Sequence, residues 1–464
     1  MSELKRQLTT RHMSMIALGG TLGTGIFLTS GAALYTAGPF GAILAYLIMG
    51  MMVYFLMNSL GEMSAYKPVS GSFCEYASDY VSKPFGFAMG YNYWFNWAIT
   101  IAVELIASAI VMQYWFPHVP PVQWCALFFV AIFALNILSV KSYGESQYWL
   151  SLIKVAAILI FIVIGVLVIT GFDKTHRVIG FHNWTQGHFH DGLSGLFAVF
   201  LLSGFAFQGT ELIGVAAGEA KDPHKSIPRA VKQIFWRILL FYILIMLIIS
   251  LIIPYTDPRL LNENNNIAMS PFTIVFSMMH IPYITGIMNF IILTALLSAC
   301  NSDLYSATRI LWHLSKKGSA PKLFSIVNQN GIPIYALLAT ASFGLLAFLS
   351  DLYGGTFIFL MLVNISSLAG FLAWFGIARS HLGFRKHYLA KGHQLRDLPF
   401  ISRFYPWAPI IAIILCSIIV FGQWYTLAIQ HNISWSSLIS MYIGLPIVFF
   451  LWLGNWWYHK KKSG

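Results

Sequence analysis

Charged residues are scarce in this sequence: Asp, Glu, Lys and Arg make up only 9% of its 464 residues. Soluble domains carry about 25% of these residues, so the shortage excludes an ordinary soluble enzyme or binding domain. Hydrophobic residues reach 58%, and the mean hydropathy is +0.70. The composition therefore predicts an all-α integral membrane protein whose apolar spans pack into one domain over 1–464.

Cysteine is also rare, and its spacing is uninformative. The four cysteines are scattered in or near apolar stretches without a C-x-x-C pair, which excludes a disulfide framework and a zinc site. Four histidines, His176, His182, His188 and His190, cluster in one outer loop, where we expect solvated side chains rather than a metal site. No nucleophile–base constellation is present either, so the sequence does not predict an enzyme.

Acidic residues number 16 against 28 basic ones, a net charge of +12 that could suggest nucleic-acid binding. The positions of the basic residues argue otherwise. Lys154 and Arg237 lie within spans. Of the other basic residues, only Lys174, Arg177 and Arg259 lie in loops on one side of the membrane, and the rest lie at the termini or in the alternate loops of the opposite side. The positive-inside rule then places both termini in the cytoplasm. The pattern assumes about twelve spans, near 13–38, 40–65, 85–113, 122–140, 146–171, 194–218, 234–254, 271–308, 334–350, 355–378, 405–424 and 438–458.

Two of these spans are interrupted by glycine and threonine. The first contains "IALGGTLGTGIFL" at 16–28, and the sixth contains "LLSGFAFQGTELIGVAAGEA" at 201–220. They lie five spans apart, so the second crosses the membrane in the opposite direction, as in an inverted repeat. Paired interrupted helices indicate a transporter's midplane binding site. Helix packing by the glycines remains an alternative, whereas a dinucleotide fingerprint would need a preceding strand.

Ionisable residues within spans are costly and usually functional. Glu104, Lys154, Glu211 and Asp303 are the candidates. Glu211 follows the break in the sixth span, and it could satisfy unwound backbone, pair with a cationic substrate or carry a proton. Glu62, near the end of the second span, is expected to snorkel or to cap a loop.

Several long motifs resemble the amino acid–polyamine–organocation superfamily, and within it the bacterial lysine-specific permeases. The resemblance implies a leucine-transporter-type fold. Two inverted repeats of five helices would occupy 13–171 and 194–378, and two peripheral helices would occupy 405–458. The motifs that carry it are "GGTLGTGIF", "SLGEMSAYKPVSGSF", "GYNYWFNWAITIAVEL", "YWLSLIKV", "FAFQGTELIGVAAGEAKDPHKSIPRA", "LLSACNSDLYSATR" and "WRILLFYILIMLIISLIIPYTDP".

The resemblance and the residues together predict how an amino acid would bind. Backbone N–H groups at the first break would bind its α-carboxylate, and carbonyls before Glu211 would accept its α-ammonium. Phe205 would be an aromatic gate, or else a packing residue. The residues at the first break are Thr21, Gly23, Thr24 and Gly25, and those before Glu211 are Ser203, Phe205 and Gln208.

One face of the third span would form the wall for the substrate side chain. It carries Tyr93, Trp97, Ile101 and Glu104. Glu104 would either receive a distal ammonium or hold the scaffold. Asp303, where the family pattern has a small residue, would add an acidic contact or pair with Arg309.

Lys154 indicates the coupling ion. In sodium-coupled relatives this part of the fifth span contributes to a sodium site, so a lysine there would replace that ion. Buried lysines can load and release protons, which predicts proton coupling with no other cofactor; a permanently charged strut is the alternative.

These observations together predict an importer of L-lysine in the bacterial inner membrane, working by proton symport and alternating access within a lipid environment. A permease or exchanger for arginine, ornithine or another amino acid on the same fold is the first alternative. A lysine-binding membrane sensor that regulates a partner is the second. Whether the protein forms a homodimer or binds a regulatory membrane partner is left open.

Overall fold

A computed structural model describes most of the chain as helices. It covers residues 15, 22–69, 71–138, 143–171, 180–185, 189–220, 222–260, 269–278, 283–328, 331–429, 438 and 441–463. Within these ranges there is no β-strand, and nine helices are long and apolar enough to cross a membrane. The predicted all-α membrane architecture is confirmed.

The described residues up to 171 contain six helices. Gly38, with φ 70°, interrupts the helix Thr29–Tyr66 (α2) and separates the end of the first predicted span from the second. Pro39 follows at once, and it fits the start of the new helical segment because its missing N–H is not needed there. The six helices are α1 Thr24–Phe27, α2 Thr29–Tyr66, α3 Ser72–Tyr80, α4 Lys83–Met112, α5 Pro121–Leu138 and α6 Tyr143–Ile169.

The described residues from 189 onwards begin with an interrupted pair of helices and continue with nine further helices. A π-helical stretch, Leu239–Ile243, joins Pro223–Ile238 (α9) to Leu244–Ile252 (α10), so that both belong to one long span. The helices are α7 Gly192–Phe207, α8 Leu212–Ala216, α9 Pro223–Ile238, α10 Leu244–Ile252, α11 Pro271–Met278, α12 Ile284–Lys316, α13 Ile334–Ala341, α14 Leu349–Tyr353, α15 Gly355–Ala390, α16 Trp407–Ile429 and α17 Gly444–Ser463.

One span boundary was predicted wrongly. The stretch 271–308, expected as a single span, consists of the short helix α11 and then α12, which begins only at Ile284. Tyr283 precedes α12 in the left-handed region, with φ 64°, a conformation that cannot continue a right-handed helix. Hydropathy alone missed this boundary because both pieces are apolar.

Helices α4 and α7 are the most enclosed of the long helices. Most of their residues are buried, whereas most apolar side chains of α6 are exposed or only half-buried. Helix α4 packs against α12 and α15, and α7 packs against α2. The two helices therefore lie inside the bundle, where their polar side chains face protein rather than lipid.

A buried charge cluster joins α2 to α15 and to the loop that follows it. The carboxylate of Glu62, which is 0% exposed, pairs with the guanidinium of Arg385 and accepts the backbone N–H of Ser402 at 2.6 Å. The Nε2 atom of His381 lies 3.3 Å from the same carboxylate. Glu62 therefore caps a loop, which is one of the two roles predicted for it. The other predicted role, snorkelling to the membrane surface, is wrong because the carboxylate is buried.

A more open ionic network connects α3 to the end of α12. The Nζ atoms of Lys67 and Lys317 each lie 3.3 Å from Glu75 Oε1, and Lys67 also lies 2.7 Å from Asp79. Partial burial opposes ionisation of Glu75, but the nearby charges of Lys317 and Lys67 outweigh it and lower the pKa of that carboxyl. Glu75 is therefore ionised at neutral pH, and its pairing with the two lysines is lost only as the pH falls through that lowered pKa.

Candidate functional site

The first predicted break reaches the described residues at Leu22 and Gly23, which are not helical and lie just before α1. Glu104 holds this segment, which is called the first break below. The backbone N–H of Thr24 donates to Glu104 Oε1 at 3.2 Å, and the Thr24 hydroxyl donates to Oε2 at 2.8 Å. A Cβ atom on Gly23 would lie 2.8 Å from Glu104 Oε1 and 2.9 Å from the Cβ of Ala299. Glycine is therefore required at 23, because any side chain would displace the carboxylate that caps the break.

The second break separates α7 from α8 and depends on Gly209. Helix α7 ends at Phe207, Gln208 has ψ 151°, and Gly209 has φ 87°. Glu211 turns its carboxylate back onto this break, where it accepts the N–H of Gly209 at 3.1 and 3.2 Å. It also accepts the indole N–H of Trp374 at 3.3 Å. Glu211 thus fulfils one of the roles predicted for it, because its carboxylate accepts a hydrogen bond from the unwound backbone.

The two breaks pack directly against each other. Gly25 lies so close to the backbone of Ala206 that no Cβ atom could fit at 25. The hydroxyl of Thr29 bridges the two helices, donating to the carbonyl of Gly25 at 2.5 Å and approaching that of Leu202 at 3.5 Å. A ligand that contacts one break can therefore contact the other.

A polar network surrounds Gln208 and was missed by the sequence analysis. The amide of Asn96 donates to Gln208 Oε1 at 2.9 Å, and Gln208 Nε2 donates to the carbonyl of Ser366 at 3.1 Å. The hydroxyl of Ser366 donates back to Asn96 Oδ1 at 2.7 Å, and it lies 3.0 Å from that of Thr100. The network fixes the second break against α4 and α15. The repeated asparagines in "GYNYWFNW" were the available signal.

The predicted wall on α4 is buried and faces the second break. The rings of Tyr93 and Trp97 meet edge to face, with centroids 5.8 Å apart. The hydroxyl of Tyr93 lies near enough to Glu211 to interact with its charge. Among the described residues, that hydroxyl and the indole N–H of Trp97 make no hydrogen bond of ordinary geometry, although the Tyr93 hydroxyl lies near both the indole and Glu211. Ile101, also buried, extends the same face.

Lys154 and Asp303 lie together behind Glu104. Lys154 is 1% exposed and Asp303 4% exposed. The charges of Glu104 and Asp303 both act on Lys154, and a weaker effect comes from Arg237. Within the described part of the chain, neither Lys154 Nζ nor Asp303 Oδ2 has a hydrogen-bond partner. Arg309, the other partner considered for Asp303, instead lies over the ring of Tyr305 at 4.9 Å.

The remaining predicted residues occupy less distinctive positions. Ser203 and Phe205 are buried within α7. The Ser203 hydroxyl donates to the carbonyl of Val199 at 2.8 Å, and the carbonyl of Phe205 accepts the N–H of Gln208 at 3.2 Å. Thr21 lies outside the described residues, as do His176, His188 and both termini, whereas His182 and His190 are exposed.

Replacing Gly209 with alanine should impair transport while leaving a folded protein. A φ of 87° disfavours any residue with a Cβ atom, at about 1–2 kcal/mol, and relaxing it would move the N–H that Glu211 accepts. Gly354 is the matched control, because it has φ 94° and nothing within 4 Å of an added Cβ atom. Initial uptake rates should fall several-fold in Gly209→Ala at equal expression, but not in Gly354→Ala. Equal rates in the two variants would contradict a role for the break.

Comparison with known proteins identifies the family. The family model described as "Amino acid permease" matches residues 12–463. The chain is 51% identical to the lysine-specific permease LysP of Escherichia coli, over 97% of the chain and 93% of that protein. It is 48% identical to LysP of Lactococcus lactis (99% and 91%) and 47% identical to the histidine permease HisP of that species (99% and 96%). The chain therefore belongs to the amino acid permease family, and it is a multi-pass membrane transporter rather than an enzyme.

Proposed function

We propose that this protein imports L-lysine across the bacterial inner membrane by proton symport and alternating access, with both termini in the cytoplasm. The observation that carries the proposal is the pair of abutting helix breaks, each with a buried carboxylate at its edge, Glu104 and Glu211. Two relatives about half identical to the chain are named lysine-specific permeases, which supports a cationic substrate. The paired breaks also favour an arrangement of two five-helix repeats.

Of the acids at the breaks, Glu211 is the better candidate for the side-chain ammonium of lysine. Both acids accept hydrogen bonds from their own break, but Glu104 already has a neighbouring cation, Lys154, so this acid is best placed to hold the first break. Glu211 faces Tyr93, and the aromatic wall of Tyr93 and Trp97 suits a long aliphatic chain. The substrate's α-carboxylate would use the remaining N–H groups of the first break, around Gly23 and Gly25. Its α-ammonium would use the carbonyls at the end of α7.

Proton coupling is assigned to Lys154. Two carboxylates, Glu104 and Asp303, and one ammonium share a region without solvent exposure. Buried charges are costly unless they are paired. Loss of the proton from Lys154 would remove the cation beside Glu104 and would change how strongly Glu104 holds Thr24. This connection would link the protonation of Lys154 to the geometry of the first break, and hence to substrate affinity.

A second candidate substrate is histidine, because a histidine permease is 47% identical to the chain over nearly its whole length. Arginine and ornithine also remain alternative substrates for a permease of this fold. Identity at this level does not separate these substrates, and the chemistry of the site supports the longer cations over histidine. A carboxylate positioned for a distal ammonium favours a long flexible cation over a short imidazole.

Competition against radiolabelled lysine uptake in proteoliposomes tests the assignment. Lysine should compete strongly, and norleucine, which has the same carbon chain without the distal amine, should compete weakly. The loss should be about 1–3 kcal/mol, because norleucine leaves a buried carboxylate unpaired. Histidine and arginine are measured in the same series. Norleucine that competes as well as lysine would refute a cationic substrate, and histidine that competes better would make the protein a histidine permease.

A further inference from the structure

A groove of about 400 Å³ lies between α5, α6, α12 and α13, away from the two helix breaks. Along α12 it is lined from Thr294 to Arg309, a separation of roughly 22 Å in an α-helix. Leu135, at its edge on α5, is 57% exposed. The groove therefore opens sideways, through the wall of the bundle that faces the hydrocarbon of the bilayer.

The groove is lined mainly by apolar side chains, and several of its polar groups are already hydrogen-bonded, although the Thr308 hydroxyl has no partner among the described residues. The amide of Asn136 donates to Asn301 Oδ1 at 2.8 Å, and the hydroxyl of Ser298 donates to Gln147 Oε1 at 3.0 Å. The rest of the lining is mainly leucine, isoleucine and phenylalanine. The long part of the groove suits a hydrocarbon chain better than a polar solute.

One end of the groove carries a cation at the depth of lipid headgroups. Helix α12 has 33 residues, roughly 50 Å, against about 30 Å for the hydrocarbon core. Arg309 lies about 10 Å before its C-terminal end, near the edge of that core if the helix is centred. Its guanidinium lies 4.9 Å from the ring centroid of Tyr305, which leaves the N–H groups at its edge available to an anion.

We propose that this groove binds an anionic phospholipid, with an acyl chain along α12 and the phosphate paired with Arg309. A zwitterionic lipid would fit the apolar part equally well, but its own cation would lie beside the guanidinium. One basic residue near the membrane surface contributes about 1 kcal/mol of attraction to anionic lipid. A bound lipid would thus brace α5 and α6 against α12 and α13.

Purified transporter in detergent, incubated with equal amounts of phosphatidylglycerol and phosphatidylcholine, tests this proposal by native mass spectrometry. The wild type should retain mostly phosphatidylglycerol, and Arg309→Gln should reduce the ratio of the two adducts about fivefold. Lys316→Gln is the matched control, because this lysine is on the same helix and also lies over an aromatic ring, that of Trp312, at 5.8 Å. It should change the ratio by less than about twofold.

Two further variants keep the proposal testable if Arg309→Gln does not fold. Arg309→Lys retains the charge and should retain the preference for phosphatidylglycerol. Ala131→Phe fills the groove on α5, so it should lower the adducts of both lipids. An unchanged ratio in Arg309→Gln would overturn the proposal, as would an equal fall in Lys316→Gln, a lost preference in Arg309→Lys or undiminished adducts in Ala131→Phe.

Discussion

Glu211→Gln should lower lysine affinity at least roughly 30-fold and reduce uptake to background. The substitution keeps an oxygen for the N–H of Gly209, so the break should survive. It removes the negative charge, however, and truncating one partner of a buried charge pair costs about 2–5 kcal/mol. Lysine binding by isothermal titration and uptake into proteoliposomes would measure the two effects separately.

Trp374→Phe is the matched control for Glu211→Gln. It removes one donor to the same carboxylate, the indole N–H at 3.3 Å, but it leaves the charge in place. Its expected loss of affinity is about 1 kcal/mol, roughly fivefold. Near-normal lysine binding by a monodisperse Glu211→Gln protein would remove Glu211 from the binding site.

Lys154→Ala should abolish lysine accumulation driven by a proton gradient. Lysine entry is itself electrogenic, worth about 2.3 kcal/mol per charge for each 100 mV, so the membrane potential must be clamped at zero. Under that clamp an inward proton gradient should still drive the wild type to accumulate lysine, and a sodium gradient should have no effect. Lys154→Ala should instead only equilibrate lysine, while lysine–lysine exchange continues.

Lys154→Arg separates the two roles open to this residue. Arginine retains the positive charge but does not release its proton. If Lys154 carries the coupled proton, the arginine variant should also fail to accumulate lysine. Full accumulation in Lys154→Arg would make the residue a structural strut, and sodium-driven accumulation by the wild type would overturn proton coupling.

The membrane fold and the break in the sixth span could be predicted from the sequence because their signals are local. Apolar stretches, and glycine and threonine within them, can be recognised without knowing what packs nearby. The start of α12 could not be recognised in this way, because the left-handed conformation of Tyr283 leaves no mark on hydropathy.

Site contacts between distant parts of the chain were harder to predict. Glu104 was recognised as a costly buried acid, but its partner Thr24 is 80 positions away. Ser366 was missed because a serine within an apolar span commonly bonds only to its own helix. Its contact with Asn96 depends on how α15 packs against α4, which only the folded structure provides.

The two charge clusters near one end of the bundle differ in how easily they can separate. Moving α2 away from α15 would leave Glu62 or Arg385 as a buried unpaired charge, which would destabilise the protein by about 3–5 kcal/mol. Separating Lys317 from Glu75 costs far less, about 0–1 kcal/mol, because water can replace the exposed lysine. During a transport cycle we expect the first cluster to keep α2 and α15 together. We expect the second to break and re-form as α3 and the end of α12 separate and meet again.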